Sequence, residues 1–195
     1  EDREVAAARQ TVGEGFPIML DTNCPWTEAE AHKRAEALRQ YGLYWLEEPI
    51  FPPENFKALA ALQEKFDIPI AAGENACTSF EFEKMFEAGA VRYAQPSVTK
   101  VGGVTELRKV ASQCSVTGVQ LMPHSPYFGP GFLATLQLAA LESSNCMIER
   151  FFLTPEASLY GEWINPTEGA FDLPEGPGLG LLPDLDVIRE YRVGV

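Results

Sequence analysis

The chain reads as an α/β protein built from repeated strand–helix units, the pattern of a parallel β/α barrel. Two observations carry this. Six short apolar runs each close on a polar residue, at Asp21, Glu47, Glu74, Ser97, His124 and Glu149, with separations of 26, 27, 23, 27 and 25 residues. Between the runs lie segments with helical periodicity and helix caps. A unit of that length holds one parallel strand and its returning helix.

The elements follow in order. DREVAAARQTVG is a helix ending at Gly13 or Gly15, and FPIML is the strand that delivers Asp21. Thr27 and Glu30 have capping-box spacing ahead of AEAHKRAEALRQY, which Gly42 stops. LYWL leads to Glu47, PPENFKALAALQEKF is helical, and IPIAAG leads to Glu74. Thr78 and Glu81 cap EFEKMFEAG, RYAQP runs into Ser97, and VTELRKVASQC forms the next helix. GVQLMP reaches His124, FLATLQLAALE is helical, and CMIE reaches Glu149.

Near-continuous apolar strands suit a sheet covered by helices or closed into a barrel. A barrel gathers the carboxyl ends of its strands at one mouth, whereas an open doubly wound sheet spreads six ends along an edge. The polar strand ends therefore favour the barrel. Six units fall short of eight strands. Two leading units are expected to lie outside this sequence, which starts inside an apparent helix without a methionine; an unusual shorter sheet is the alternative. After Phe151 the texture changes to turn-rich sequence, GEWINPTEGAFDLPEGPGLGLLPDLDVI, expected to leave the barrel.

Composition narrows the classes. The 195 residues are 46% hydrophobic, enough to build a core rather than remain disordered. Fifteen basic against 28 acidic residues give a net charge of −13, without a basic patch, which argues against nucleic acid and anionic membranes as partners. Cys24, Cys77, Cys114 and Cys146 are widely spaced and form no CxxC pair, the usage of a reduced intracellular protein. No signal peptide and no membrane-length apolar run are apparent, so a cytoplasmic location is expected.

Asp21, Glu47 and Glu74 offer hard oxygen ligands at three successive strand ends. Mg²⁺ prefers such oxygens and keeps positions for water or substrate oxygens, so the trio reads as its site. Solvated strand ends or helix caps are the plainer alternative for any one of them. Glu48, next to Glu47, faces another direction and is a weaker ligand candidate.

His124 is the acid/base candidate, since imidazole can remove and return protons near neutral pH; a structural histidine is the alternative. His32 lies in a helical KR-rich segment and is expected on its solvent face. Glu149 can hydrogen-bond a substrate carboxyl or enolate oxygen, or pair with Arg150. Asn23 can orient a hydroxyl or a water near Asp21, or cap a turn. Ser97 is placed to touch substrate or His124, although serine is also common in turns. Lys100 can neutralise the acidic mouth or form a structural ion pair. The VGG that follows it lacks the Walker and dinucleotide patterns.

These residues together resemble the enolase superfamily, specifically its mandelate racemase/muconate lactonizing enzyme group. The resemblance rests on IMLDTN at 18–23, WLEEP at 45–49, AGEN at 72–75, QPSVTKVGG at 95–103, MPHS at 122–125, MIERF at 147–151 and DLPEGPGLG at 172–180, in order along nearly the whole chain. It implies the C-terminal portion of a modified TIM barrel, (β/α)₇β, with residues 1–152 running from the third strand onward and residues 153–195 returning toward an α+β capping domain. It also implies Mg²⁺ on Asp21, Glu47 and Glu74, His124 as acid or base, and Glu149 at the substrate carboxylate.

The implied chemistry removes the proton beside a carboxylate through an enediolate. The implied partner is a small-molecule carboxylate, in particular a sugar acid, and a homo-oligomer is expected. Acid-sugar dehydration is the leading reading, because Asn23 and Ser97 can contact polyol hydroxyls; racemisation or epimerisation, and a non-catalytic carboxylate-binding paralogue, are the alternatives. Relatives resembling mandelate racemase carry aspartate at the sixth strand end, where this chain has Ser97. Serine cannot stabilise an imidazolium by charge, so His124 is expected to be a weaker base or mainly an acid. The second-strand KxK motif of the group would precede this sequence.

Overall fold

A computed structural model describes residues 2–141 and 146–194. The elements are α1 Asp2–Val12, β1 Met19–Asp21, α2 Glu28–Leu38, β2 Trp45–Glu47, α3 Phe56–Phe66, β3 Ile70–Ala72, α4 Ser79–Glu87, β4 Tyr93–Ala94, α5 Val104–Thr117, β5 Gln120–Leu121, α6 Pro130–Ala139 and α7 Leu185–Tyr191. Two 3₁₀ turns cover Arg39–Tyr41 and Gly161–Ile164. No helix among the described residues is long and apolar enough to cross a membrane.

The local signals work as the sequence predicts. Thr27 accepts from the Glu30 N–H while the Glu30 side chain accepts from the Thr27 N–H, and Thr78 accepts from the Glu81 N–H. Gly13 ends α1 with φ 79° and Gly42 follows the first 3₁₀ turn with φ 56°, both in the left-handed region that glycine enters without Cβ strain. The tail departs from expectation in one place: Asp184 caps the short helix α7, which turn-rich flanking sequence conceals.

The five strands are parallel and in sequential order, with Asp21 directly opposite Glu47. Sequential parallel strands joined by right-handed crossovers place every helix on one face. Leu20, Leu46, Ile70, Ala72, Ala94 and Leu121 all point to that face, into a core shared with Leu38, Leu62, Phe82, Val110 and Leu138 of the helices. The opposite face has a separate apolar layer of Trp45, Ala71, Tyr93 and Met122, packed with Tyr44 and with no helical residue. A doubly wound sheet would reverse its strand order and carry helices on both faces. The structure is the wall of a parallel barrel, with helices outside and a side-chain layer inside.

Four strand expectations need correction. Strand β3 stops at Ala72, β4 at Ala94 and β5 at Leu121, so Glu74 lies two residues, and Ser97 and His124 each three residues, beyond a strand rather than on its last position. The expected sixth strand over CMIE has no backbone ladder among the described residues. Its polar groups go to side chains instead: the Met147 N–H points at Met122 Sδ (3.3 Å) and the Glu149 carbonyl accepts from Ser125 Oγ (3.1 Å). Those bonds still hold the segment beside β5.

The first part of the tail packs back on α6. Tyr160 and Ile164 are buried with Phe132, Leu133 and Leu136, and Phe171 stacks edge-on against Phe132. Arg150 turns toward the tail, donating to Leu153 O (2.8 Å) and Asn165 Oδ1 (2.9 Å) over the Phe128 ring, so it does not serve as the partner of Glu149.

Arg9 was not singled out by the sequence. Its buried guanidinium donates to four carbonyls, those of Tyr41 (2.9 Å), Gly13 (2.8 Å), Phe16 (2.7 Å) and Gly42 (3.0 Å), clamping α1 to the approaches of β1 and β2. Arg9→Ala is expected to cost about 2 kcal/mol in urea unfolding, because it strands these acceptors. Arg9→Lys should recover little of that, since one ammonium cannot reproduce the planar fork.

Candidate metal and acid/base site

The site follows from the two-residue period of the inner face. One step beyond Met19, Trp45, Tyr93 and Met122 come Asp21, Glu47, Gln95 and His124, so the apolar layer is roofed by polar groups. Glu74 joins from the turn after β3. Glu149 joins from the segment beside β5, where its carboxylate accepts from the Ser125 N–H (3.2 Å).

The carboxylates influence one another. Glu47 is buried, and its pKa is pushed up to about 7, first by loss of water and then by the charges of Asp21 and Glu149. Hydrogen bonds from Gln95 and from the Trp45 indole (2.9 Å) oppose that rise. Burial also raises Asp21 and Glu149, each with a further contribution from Glu74. Glu74 goes the other way: its hydrogen bond with His124 Nε2 (2.6 Å) holds its pKa low, with a smaller contribution from Lys100.

Mg²⁺ was the expected occupant, and the donors fit it in kind. Asp21 and Glu47 face each other across adjacent parallel strands, about 4.8 Å apart in backbone spacing, so both can reach one ion. Among the described residues, however, no three His, Cys, Asp or Glu groups converge on a single point as they stand. Each carboxylate is engaged elsewhere: Asp21 by the Asn23 backbone (3.0 Å) and amide (2.8 Å), Glu47 by Trp45, and Glu74 by His124. Rotation of side chains, above all release of Glu74 from His124, separates this arrangement from a closed metal site.

The remaining sequence candidates fall into place. Asn23 orients Asp21. Ser97 is fully buried, and its hydroxyl is shared with Thr99 Oγ1 (2.9 Å) and Tyr127 OH (3.2 Å), while Tyr127 donates to the His124 carbonyl (3.0 Å). It thus braces the backbone of the His124 loop. The ring of His124 gains nothing from it: Nδ1 is buried, with no hydrogen-bond partner among the described residues. Lys100 is exposed beside the mouth. His32 departs from its expected solvent face, being half-buried edge-on against Phe66 at 5.5 Å.

One neighbour, Gln95, was missed and could have been found by extending the strand period from Tyr93. Glu48 faces another direction from Glu47, as expected, and its partners, which nothing near it in the sequence reveals, are Cys24 Sγ (2.8 Å), the Gly73 N–H (3.0 Å) and Asn75 Nδ2 (3.1 Å).

A parallel barrel wall with a carboxylate-rich mouth defines the class, and comparison with known proteins places the chain within it. Residues 1–187 match the family described as enolase C-terminal domain-like, and the chain belongs to the enolase superfamily, in its mandelate racemase/muconate lactonizing enzyme-like group. It is 32% identical to arabinonate dehydratase of Saccharolobus solfataricus, over 98% of this chain and 52% of that protein. It is 31% identical to 3,6-anhydro-alpha-L-galactonate cycloisomerase of Streptomyces coelicolor, over 97% of this chain and 51% of that one. Among solved structures it resembles L-talarate dehydratase of Polaromonas sp. JS666 in complex with Mg and L-glucarate, at TM-score 0.79 and 29% identity, over 96% of this chain and 50% of that chain. The chain spans about half the length of the curated relatives it matches.

Metal binding should depend on pH. Glu47 holds a proton below about pH 7, and an incoming cation must displace it. Mg²⁺ affinity measured by calorimetry is therefore expected to rise up to about tenfold per pH unit below pH 7 and to level off above about pH 8. A flat profile from pH 5.5 to pH 8 would show that Glu47 carries no proton for the cation to displace in that range.

Proposed function

We propose that this chain forms the metal-binding and proton-transfer wall of an acid-sugar dehydratase. The reaction breaks the C–H bond beside the substrate carboxylate and the C–O bond of the adjacent hydroxyl, which leaves as water. The observation that carries the reading is the mouth itself: one imidazole among four mutually interacting carboxylates, on the inner face of a parallel barrel wall. The dehydratases among the similar proteins support the same choice.

Asp21, Glu47 and Glu74 would hold Mg²⁺, which supplies positive charge where negative charge builds on the substrate carboxylate during proton removal. His124 Nε2 delivers the proton that converts the departing hydroxyl to water. Among the described residues no carboxylate is hydrogen-bonded to His124 Nδ1, the position from which one would stabilise an imidazolium. The base that takes the carbon-bound proton lies outside residues 1–195 in this reading. Burial raises the pKa of Glu149, which favours the carboxyl form that can donate to a substrate oxygen, as an ionised carboxylate cannot. Asn23 keeps Asp21 aimed at the mouth.

Residues 1–152 form the barrel portion in this account, and the end of the tail is directed toward a capping domain. Leu182, Leu185 and Val193 are 92%, 65% and 88% exposed, the apolar side chains such a contact would cover.

Incubation with Mg²⁺ and a panel of sugar acids tests the reading. Appearance of a 2-keto product is expected, whereas solvent deuterium uptake without loss of substrate would assign racemisation instead. His124→Asn is expected to lower turnover by at least about 100-fold. The same change should keep or raise Mg²⁺ affinity, because it frees Glu74; full activity in the variant would refute the role given to His124.

A further inference from the structure

Glu48 is 3% exposed, with φ 46° on the turn that follows β2. Its side chain points away from the mouth, and what it holds there is specific. Oε1 accepts from the Gly73 N–H (3.0 Å), and Oε2 accepts from Asn75 Nδ2 (3.1 Å) and Cys24 Sγ (2.8 Å). Gly73 and Asn75 are the two residues flanking Glu74. Cys24 lies three residues after Asp21, and Glu48 itself follows Glu47.

The backbone strengthens the same junction. The Glu48 carbonyl accepts from the Cys24 N–H (2.6 Å), and Thr22 Oγ1 donates to the carbonyls of Glu47 (2.9 Å) and Glu48 (3.1 Å). Only glycine fits at position 73, because a Cβ there would lie 2.6 Å from the Phe82 ring. The Cys24 thiol, its pKa raised by burial and by Glu48, stays protonated and keeps its hydrogen to donate.

We propose that Glu48 is the positioning residue of the divalent-metal site: a single buried carboxylate that fixes, relative to one another, the two strand ends and the turn bearing Asp21, Glu47 and Glu74. The proposal rests on reading those three as the ligands. An ion held by groups from separate strands needs their spacing set to within about half an ångström, and backbone turns alone do not set it. The Gly73 N–H, the Asn75 amide and the Cys24 thiol all donate to the Glu48 carboxylate, so its place calls for two acceptor oxygens. Glutamine supplies one: its N–H₂ would face the Cys24 S–H, and would meet the Asn75 N–H₂ as a second donor until that amide turned over.

The test is Mn²⁺ binding, followed by the EPR signal of the free ion, with thermal unfolding recorded in parallel. Glu48→Gln is expected to weaken Mn²⁺ binding about tenfold or more. Adding Asn75→Asp places an acceptor opposite the new amide and should bring affinity back to within about threefold of the parent, a rescue that general loosening of the fold would not give. Glu47→Gln and Glu74→Gln serve as ligand controls. If both controls bind Mn²⁺ like the parent, the ligand assignment fails and this proposal falls with it. If the controls weaken binding while Glu48→Gln stays within about threefold of the parent, Glu48 is not a positioning residue and the ligand assignment stands. Should Glu48→Gln fail to fold, Asn75→Ala, which removes one donor, is expected to weaken binding about threefold with little change in the melting midpoint; unchanged affinity there overturns the proposal.

Discussion

The burial of several carboxylates together at the barrel mouth is the constraint on which the site depends. Asp21, Glu47 and Glu149 are all shifted toward their protonated forms, by burial and by neighbouring acids. A protein gains nothing in stability from gathering like charges where water is scarce. The arrangement makes physical sense as a receptor for positive charge; within the structure, Glu74 alone of the four carboxylates is tied by a hydrogen bond to His124. A divalent cation would satisfy the rest, and the relatives solved with magnesium show that this architecture accommodates it in their case.

Parallel strands in register make such a mouth inexpensive to build. The same alternation that sends Leu20, Leu46 and Leu121 into the helix-covered core sends Trp45, Tyr93 and Met122 inward, and the next inward position on each strand is polar. The neighbours Glu47 and Glu48 show the alternation at its sharpest. One carboxylate looks into the mouth and takes the Trp45 indole; the other looks into the loops and binds three donors. Neither can substitute for the other, although they are chemically identical.

Much of this was legible in the sequence. Apolar runs closing on Asp21, Glu47 and Glu74 located the strands, the Thr27 and Thr78 caps located two helices, and the motifs identified the family. What stayed hidden depends on partners far away along the chain. Arg9 has two of its acceptors more than thirty residues away, Glu48 is bound by loops 24 to 27 residues distant, and nothing adjacent to either reveals the match. Ser97 was legible as a departure from the family, yet its actual role, bracing the His124 loop through Tyr127, required the fold. The segment ending at Glu149 read as a strand because its composition is that of one; side chains of Met122 and Ser125 take the polar groups a ladder would have used.

Glu74 connects the two halves of the proposed chemistry, since the oxygen it gives His124 Nε2 is one an ion would compete for. Metal loading is expected to draw Glu74 toward Asp21 and Glu47, lengthening its contact with His124 and freeing the imidazole for substrate. Anomalous diffraction from crystals soaked in Mn²⁺ tests this most directly. The expected result is one strong peak about 2.1 Å from oxygens of Asp21, Glu47 and Glu74, with the Glu74 to His124 contact lengthened. A peak elsewhere, or a Glu74 side chain still bonded to His124 beside a bound ion, would contradict the account.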